Sequence, residues 1–127
     1  MELTCFTQRL GQSQGRVVDA GGARFVLGDL AEGWRADLQV GAYVEMTQQV
    51  DVTDAKWVRA RMSLRVPADL PSALAWEASL VVDGRGAAAV RGWRGRERML
   101  VDLAANVSKL SGVHLVGLRL TLVASEP

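Results

Sequence analysis

Only one cysteine, one histidine and three prolines occur in the 127 residues. One cysteine excludes a disulfide framework within the chain. One cysteine with one histidine also excludes a cysteine-based zinc site or a Cys/His knuckle, since each needs several ligands. A surplus of one charge sign is missing too: 15 Lys and Arg stand against 14 Asp and Glu, a net +1, so no overall field draws nucleic acid or an anionic membrane. There is no long apolar run. The least charged stretch, Val113 to Ala124, carries His114 and Arg119 and falls short of the ~20 apolar residues that span a bilayer. Met1 to Leu10 interleaves Thr4, Thr7, Gln8 and Arg9 with Leu3, Cys5 and Phe6 and lacks the ~7 to 15 continuous apolar residues of a secretory signal. The expectation is a chain made in the cytosol, with no membrane partner.

What is present is a globular composition, 49% hydrophobic and 23% charged, at a length that suits one domain over residues 1–127. The hydrophobic pattern has period two. From Lys56 to Val66, Val58, Ala60, Met62, Leu64 and Val66 alternate with Trp57, Arg59, Arg61, Ser63 and Arg65, which on a strand makes one apolar and one Arg-rich face. Val44, Met46, Val50 and Val52 share a face just before it, interrupted by Gln48. The short Thr53-Asp54-Ala55 link predicts a hairpin between the two strands.

Pro67 and Pro71 mark a crossover from Pro67 to Ala75. Trp76, Ala78, Leu80 and Val82 then alternate with polar neighbours up to Asp83-Gly84, a tight-turn dipeptide, and Ala87 to Trp93 returns, with a bulge or bend expected at Gly92 and Gly95. Met99, Val101 and Leu103 share one face, as do Val116, Leu118, Leu120 and Leu122, with Leu115 and Val123 opposite, the mark of a strand covered on both sides. Leu3 to Gln8 alternates weakly. Arg16 to Asp19 and Arg24 to Leu27, joined by Ala20-Gly21-Gly22-Ala23, predict a further hairpin. Ala31 to Ala42 reads as a loop with one helical turn, and Leu103 to Leu110 as one or two helical turns ended by Ser111-Gly112. The sum is an all-β, single-domain antiparallel β-sandwich, jelly-roll-like, of about eight strands with little helix. Its core is expected to hold Val58, Met62, Leu64, Leu80, Val101, Leu118, Leu120 and Leu122.

Catalytic chemistry has few groups to build on. Any Ser/His or Cys/His scheme must use His114, with Ser111 or Cys5 as nucleophile, and no G-x-S-x-G elbow is present. Asp51 with Asp54, Asp29 with Glu32, and Asp19 are the available carboxylates; Asp54 reads as a turn residue and Asp29 as a loop opening. Scattered glycines form neither a P-loop nor a dinucleotide fingerprint. Asn106-Val107-Ser108 fits a glycosylation sequon, which without a secretory signal is a chance match. No catalytic, metal-ligating or cofactor residue is assigned.

Arginine supplies 13 of the 15 basic residues, gathered around two tryptophans. Trp57 stands with Arg59, Arg61 and Arg65, and Trp93 with Arg91, Arg94, Arg96 and Arg98. One reading is a contact surface, since Trp and Arg are enriched at binding hot spots. The other is a solvated face covered by arginine stems. Pairing of Glu45, Asp51, Glu97 and Asp102 with arginines across strands would blunt the positive field and favour a protein partner over nucleic acid. The assigned binding residues are Trp57, Arg59, Arg61, Arg65, Trp93, Arg94 and Arg96.

The segments Trp76-Glu-Ala-Ser-Leu-Val-Val-Asp-Gly84, Gly92-Trp-Arg-Gly-Arg-Glu-Arg98 and Asp102 to Leu122 resemble the jelly-roll β-sandwich of tailed-phage structural and attachment proteins. The shared features are an aromatic-led strand ending in Val-Asp-Gly, an Arg-containing return strand, a loop of D-L-x-x-x-V-S-x-L-S-G-x-H form and an apolar last strand. The resemblance covers about half the chain, and similar endings occur in galactose-binding-like and carbohydrate-binding sandwiches. It implies a virion structural protein made in the host cytoplasm: a capsid decoration, head-spike or tail-associated subunit. Such a protein would form homo-oligomers, a trimer favoured, and bind capsid or tail proteins. A carbohydrate-binding module that takes surface glycans on an exposed Trp is the alternative. An OB-like nucleic-acid binder ranks third, favoured only by the short glycine-rich strands near residues 15 to 45. In a sandwich of this type His114, at the start of the last strand, is expected to bond loop backbone and hold the Leu103 to Gly112 segment, while Trp76 anchors one end of the core.

Overall fold

The computed structural model describes residues 7–12, 22–27, 34–93 and 99–124. These form nine strands: β1 (Thr7–Gln12), β2 (Gly22–Leu27), β3 (Trp34–Gln39), β4 (Ala42–Asp51), β5 (Trp57–Arg65), β6 (Leu74–Val82), β7 (Arg85–Gly92), β8 (Met99–Asn106) and β9 (Val113–Ala124). No helix occurs among the described residues. The strands make two antiparallel sheets, of order β1-β4-β9-β6-β7 and β3-β2-β5-β8. The protein is an all-β sandwich.

The alternation of β5 decides which side of its sheet is buried. Val58, Ala60, Met62 and Leu64 face the core, opposite Ala105, Leu103, Val101 and Met99 of β8. Val44 and Met46 from β4, Trp76, Ala78 and Leu80 from β6, and Val116, Leu118, Leu120 and Leu122 from β9 close the core from the other sheet. All eight residues expected in the core are buried. β9 lies in the middle of its sheet, its residues 113–121 paired with β4 on one side and 116–124 with β6 on the other.

From β4 onward the strands nest. β6 pairs with β7, β5 with β8, and β4 with β9, so the chain is a long hairpin wound between two sheets, as in a jelly roll. This overturns the hairpin expected between β4 and β5. The Thr53-Asp54-Ala55 link carries the chain across to the other sheet, with Asp54 at φ 64°. Its backbone pairs with the neighbouring crossing: Val52 N–H donates to Gly112 O at 3.0 Å, and Val107 N–H to Lys56 O at 2.8 Å. Short connection and matching pattern suit a hairpin and a sheet-to-sheet corner equally, and burial of Val52 favours the corner. The crossover expected over Pro67 to Ala75 carries the chain from one sheet to the other but ends at residue 73, Leu74 and Ala75 already belonging to β6, and Leu70, buried within it, plugs the adjacent core.

The β6–β7 hairpin forms with Asp83 at φ 52° and Gly84 at φ 82°, the left-handed pair of a type I′ turn. Its irregularity lies between Leu80 and Val81, opposite Ala88 and Gly86, and not at Gly92; Gly95 is outside the described residues. Gly92 serves a different need, since a Cβ there would stand 2.3 Å from Trp76 Cζ2. The fully buried indole lies across the end of β7, and its Nε1 has no hydrogen-bond partner, so packing alone holds it.

Two further expectations are corrected. Residues 34–39, read as loop, are β3, the hairpin partner of β2 along Gly22–Leu27. Leu103 to Asn106, read as helical, continue β8 because Leu103 and Ala105 are buried opposite Ala60 and Val58; the turn comes later, where Leu110 N–H meets Val107 O at 2.9 Å. Asn106 ends the strand by accepting from Ser108 N–H at 2.9 Å, a local turn in the sequon. Residues 3–6, the proposed strand at 16–19 and Cys5 lie outside the described residues.

The five-stranded sheet is buried on both faces at its centre. Glu45, Thr47, Ala75, Val81 and Thr121, outward by strand parity, are all shielded, whereas Leu115 is 41% exposed. Here Gly117 lets β4 and β9 approach, since a Cβ would fall 2.2 Å from Met46 O and 2.8 Å from Thr47 Cγ2. Backbone cannot swing aside as a side chain does, so Gly117→Ala should cost ~1–3 kcal/mol by forcing the central strands apart. Denaturant unfolding would measure it, and an unchanged midpoint would show that the strands separate freely.

Candidate functional site

The outer face of the β3-β2-β5-β8 sheet gathers four of the assigned residues. Trp57, Arg59, Arg61 and Arg65 alternate along β5, and β8 adds Leu100, Asp102, Ala104 and Asn106 through the register Trp57↔Asn106, Arg59↔Ala104, Arg61↔Asp102 and Ser63↔Leu100. Trp57 is 55% and Leu100 69% exposed, large apolar groups at opposite ends of this strip. Between them Asp102 receives a two-point bond from Arg59, Nε to Oδ1 at 2.8 Å and Nη2 to Oδ2 at 2.7 Å. Arg61 Nε is 3.4 Å from the same Oδ2. The bond from Arg59, assisted by the charges of Arg59 and Arg61 and opposed by partial desolvation, holds the Asp102 carboxyl below its usual range. The carboxylate therefore stays ionised at neutral pH and holds the Arg59 guanidinium at two points. Arg65 differs, because its Nε is buried with no hydrogen-bond partner.

Trp93 lies elsewhere, half exposed just after β7 in the other sheet. Its companion Arg91 is paired with Glu77, Nη2 to Oε2 at 2.8 Å. Arg94 and Arg96, with Arg98 and Glu97, are outside the described residues. Of the carboxylates expected to blunt the arginines, Asp102 does so on the Trp57 face and Glu45 binds Arg119, while Asp51 accepts from Thr53 N–H at 3.0 Å. That backbone bond, with help from the Thr53 side chain, lowers the Asp51 carboxyl from its ordinary value.

At one end of the sandwich sits a polar cluster. His114 Nδ1 is 2.6 Å from Asp83 Oδ2, and Nε2 is 3.0 Å from Ser111 O. Asp83 is bound twice more to the start of β9: Leu115 N–H donates to its Oδ1 at 3.0 Å, and its own N–H donates to Leu115 O at 2.7 Å. Ser, His and Asp thus meet, but not as a nucleophilic triad. His114 faces the carbonyl of Ser111, and the Ser111 hydroxyl lies 3.4 Å from Thr53 Oγ1. The arrangement fits the expected structural role, in which His114 holds the loop before β9. Among the described residues no three His, Cys, Asp or Glu side chains gather as metal ligands.

No protein-family model, curated protein or solved structure matches this chain. The function is therefore argued from the site itself and from the motifs in the sequence.

Sequence reasoning found the Trp57 strip because strand parity alone fixes which β5 residues share a face. It missed Leu100 and the pairing of Asp102 with two arginines at once, which depend on the β5–β8 register. It also missed the link between Asp83 and His114, 31 residues apart, which only the nesting of β6–β7 beside β9 creates.

Proposed function

We propose that this chain is a non-catalytic structural subunit that works by protein–protein contact through the outer face of the β3-β2-β5-β8 sheet. The particle would be that of a tailed phage, with the chain as a capsid decoration, head-spike or tail-associated subunit, homo-oligomeric and preferably trimeric. The observation that carries the contact reading is the strip with Trp57 and Leu100 exposed at its ends and the Arg59–Asp102–Arg61 group fixed between them. Large exposed apolar groups beside arginine have the composition of binding hot spots, and side chains already held in place lose less entropy on docking. The phage assignment rests on the resemblance of Trp76–Gly84, Gly92–Arg98 and Asp102–Leu122, and the wound β4–β9 hairpin supports it.

Light scattering on the purified protein tests the reading. A defined oligomer is expected, and a strict monomer that binds neither capsid nor tail proteins would contradict it. Trp57→Ala should weaken association ~30-fold or more, equivalent to ~2 kcal/mol, while the unfolding midpoint moves little because the side chain is exposed.

Exposure of Trp93, separate from the first strip, favours a second reading as a carbohydrate-binding module with that ring as stacking platform. A glycan array separates the two. Binding lost in Trp93→Ala but retained when oligomers are disrupted would select the glycan reading.

A further inference from the structure

We infer that His114 is a proton-operated latch that fastens the 107–112 connection across one end of the sandwich, closed when the imidazole carries both protons and loosened when it loses one. The role is separate from the contact face on β5 and β8 and does not depend on it.

The geometry demands two donors. Nδ1 meets a carboxylate oxygen of Asp83 and Nε2 meets the carbonyl of Ser111, and neither acceptor can donate. A neutral imidazole carries one N–H and one lone pair, so only the imidazolium satisfies both contacts. When one proton leaves, a ring lone pair must face an oxygen lone pair. Asp83 is tied independently to Leu115, by a backbone bond from its own N–H to Leu115 O and by Leu115 N–H donating to its carboxylate Oδ1, so the Asp83 side stays in place and the Ser111 contact gives way.

Ser111 belongs to a corner with few other fastenings. Gly112 N–H donates to Thr53 Oγ1 at 2.9 Å, and Gly112 O accepts from Val52 N–H. Beneath this corner lie Val50, Val52, Val107 and Val116, all buried, with Leu110 partly so. His114 has the strand parity of Val116 and Leu118, so its ring sits at the open end of that core. The charged groups that neighbouring elements bring to this end are Asp51 from β4, Asp54 and Lys56 from the 52–56 crossing, Asp83 and Arg85 from the β6–β7 hairpin, and Lys109 from the latched connection. Of these, Asp83 bonds to the ring.

The Asp83 bond first, then the Ser111 bond, raises His114 above its ordinary 6.5, and the same pairing lowers Asp83 below 3.8. A raised histidine stabilises the closed form fully below its open-state value and loses that contribution as pH rises through the closed-state value. The latch is therefore closed at mildly acid pH and loosens on the alkaline side of about 6.5. Asp83 stays ionised throughout that range, and its contribution is lost only as pH falls below 3.8.

NMR on the intact protein tests this, since the chain has a single histidine to titrate. Between the open-state and closed-state values, amide protection of Leu110, Gly112 and Val52 should fall by up to about tenfold per pH unit, and be flat on either side. Leu118 and Leu120 should keep their protection. Asp83→Asn, which retains an acceptor for Leu115 N–H, should move the imidazole titration and the protection change downward together. Corner protection that ignores the histidine titration would overturn the latch, as would a ring titrating at or below 6.5 or a loss shared equally by Leu118 and Leu120.

Discussion

Arg119→Met is expected to destabilise the fold by ~3–5 kcal/mol, the usual cost of removing one partner from a buried ion pair. Glu45 retains only 4% of its side-chain exposure, and Arg119 Nε and Nη2 both bind its Oε1, at 2.9 and 2.7 Å. The guanidinium also lies 4.6 Å from the centre of the Tyr43 ring. Removing it takes the two-point Arg119 contact away from a carboxylate buried in the middle of the sheet, where β4 and β9 are neighbours. Replacing both ends, as in Glu45→Leu with Arg119→Met, should recover more than ~1 kcal/mol of the summed single costs, because no charge then stays buried. Denaturant unfolding of the four proteins of the cycle measures it. Additive costs would mean that the pair is not coupled, and that the burial of Glu45 is balanced by other contacts.

Trp76→Ala should cost a similar ~3–5 kcal/mol, since the largest buried side chain would be replaced by a cavity. The same indole explains why a glycine stands opposite it. Gly92 is paired directly with Trp76, and a Cβ would stand 2.3–2.5 Å from two of its ring carbons. Gly92→Ala alone should therefore cost ~1–3 kcal/mol through overpacking. In the Trp76→Ala background, where the ring is gone, the same change should cost almost nothing. Backbone circular dichroism through a denaturant series follows both without relying on the tryptophan signal. If Gly92→Ala cost the same in both backgrounds, the demand for glycine would come from the backbone and not from the indole.

Strand periodicity made much of this molecule legible. In β5 the two-residue alternation separates Val58, Ala60, Met62 and Leu64 from Trp57, Arg59, Arg61 and Arg65, and steric alternation along an extended chain leaves no other arrangement. The Asp83-Gly84 turn was equally legible, because few dipeptides accept two left-handed residues in succession. β3 was not, although Trp34, Ala36 and Leu38 do alternate with Arg35, Asp37 and Gln39. The glycines at 33 and 41 and the polar residues outweighed a pattern only six residues long. Leu103 to Asn106 misled for the opposite reason: their local preference is helical, but burial of every second side chain against β5 favours a strand.

The chain by itself determined the fold class, the core and the composition of the Trp57 strip, since each follows from spacing along one strand or one turn. Partnership between distant strands was decided only by the tertiary structure. A five-residue link can close a hairpin or cross between sheets, and the choice fell on crossing because Val52 and Val107 bury their side chains while their amides pair with the opposite corner. That winding sets the β5–β8 register, which brings Arg59 and Arg61 to Asp102. It also lays the β6–β7 turn beside the start of β9, so that Asp83 reaches His114. Neither contact is encoded in local pattern, because each depends on which side of the sandwich a remote segment returns to.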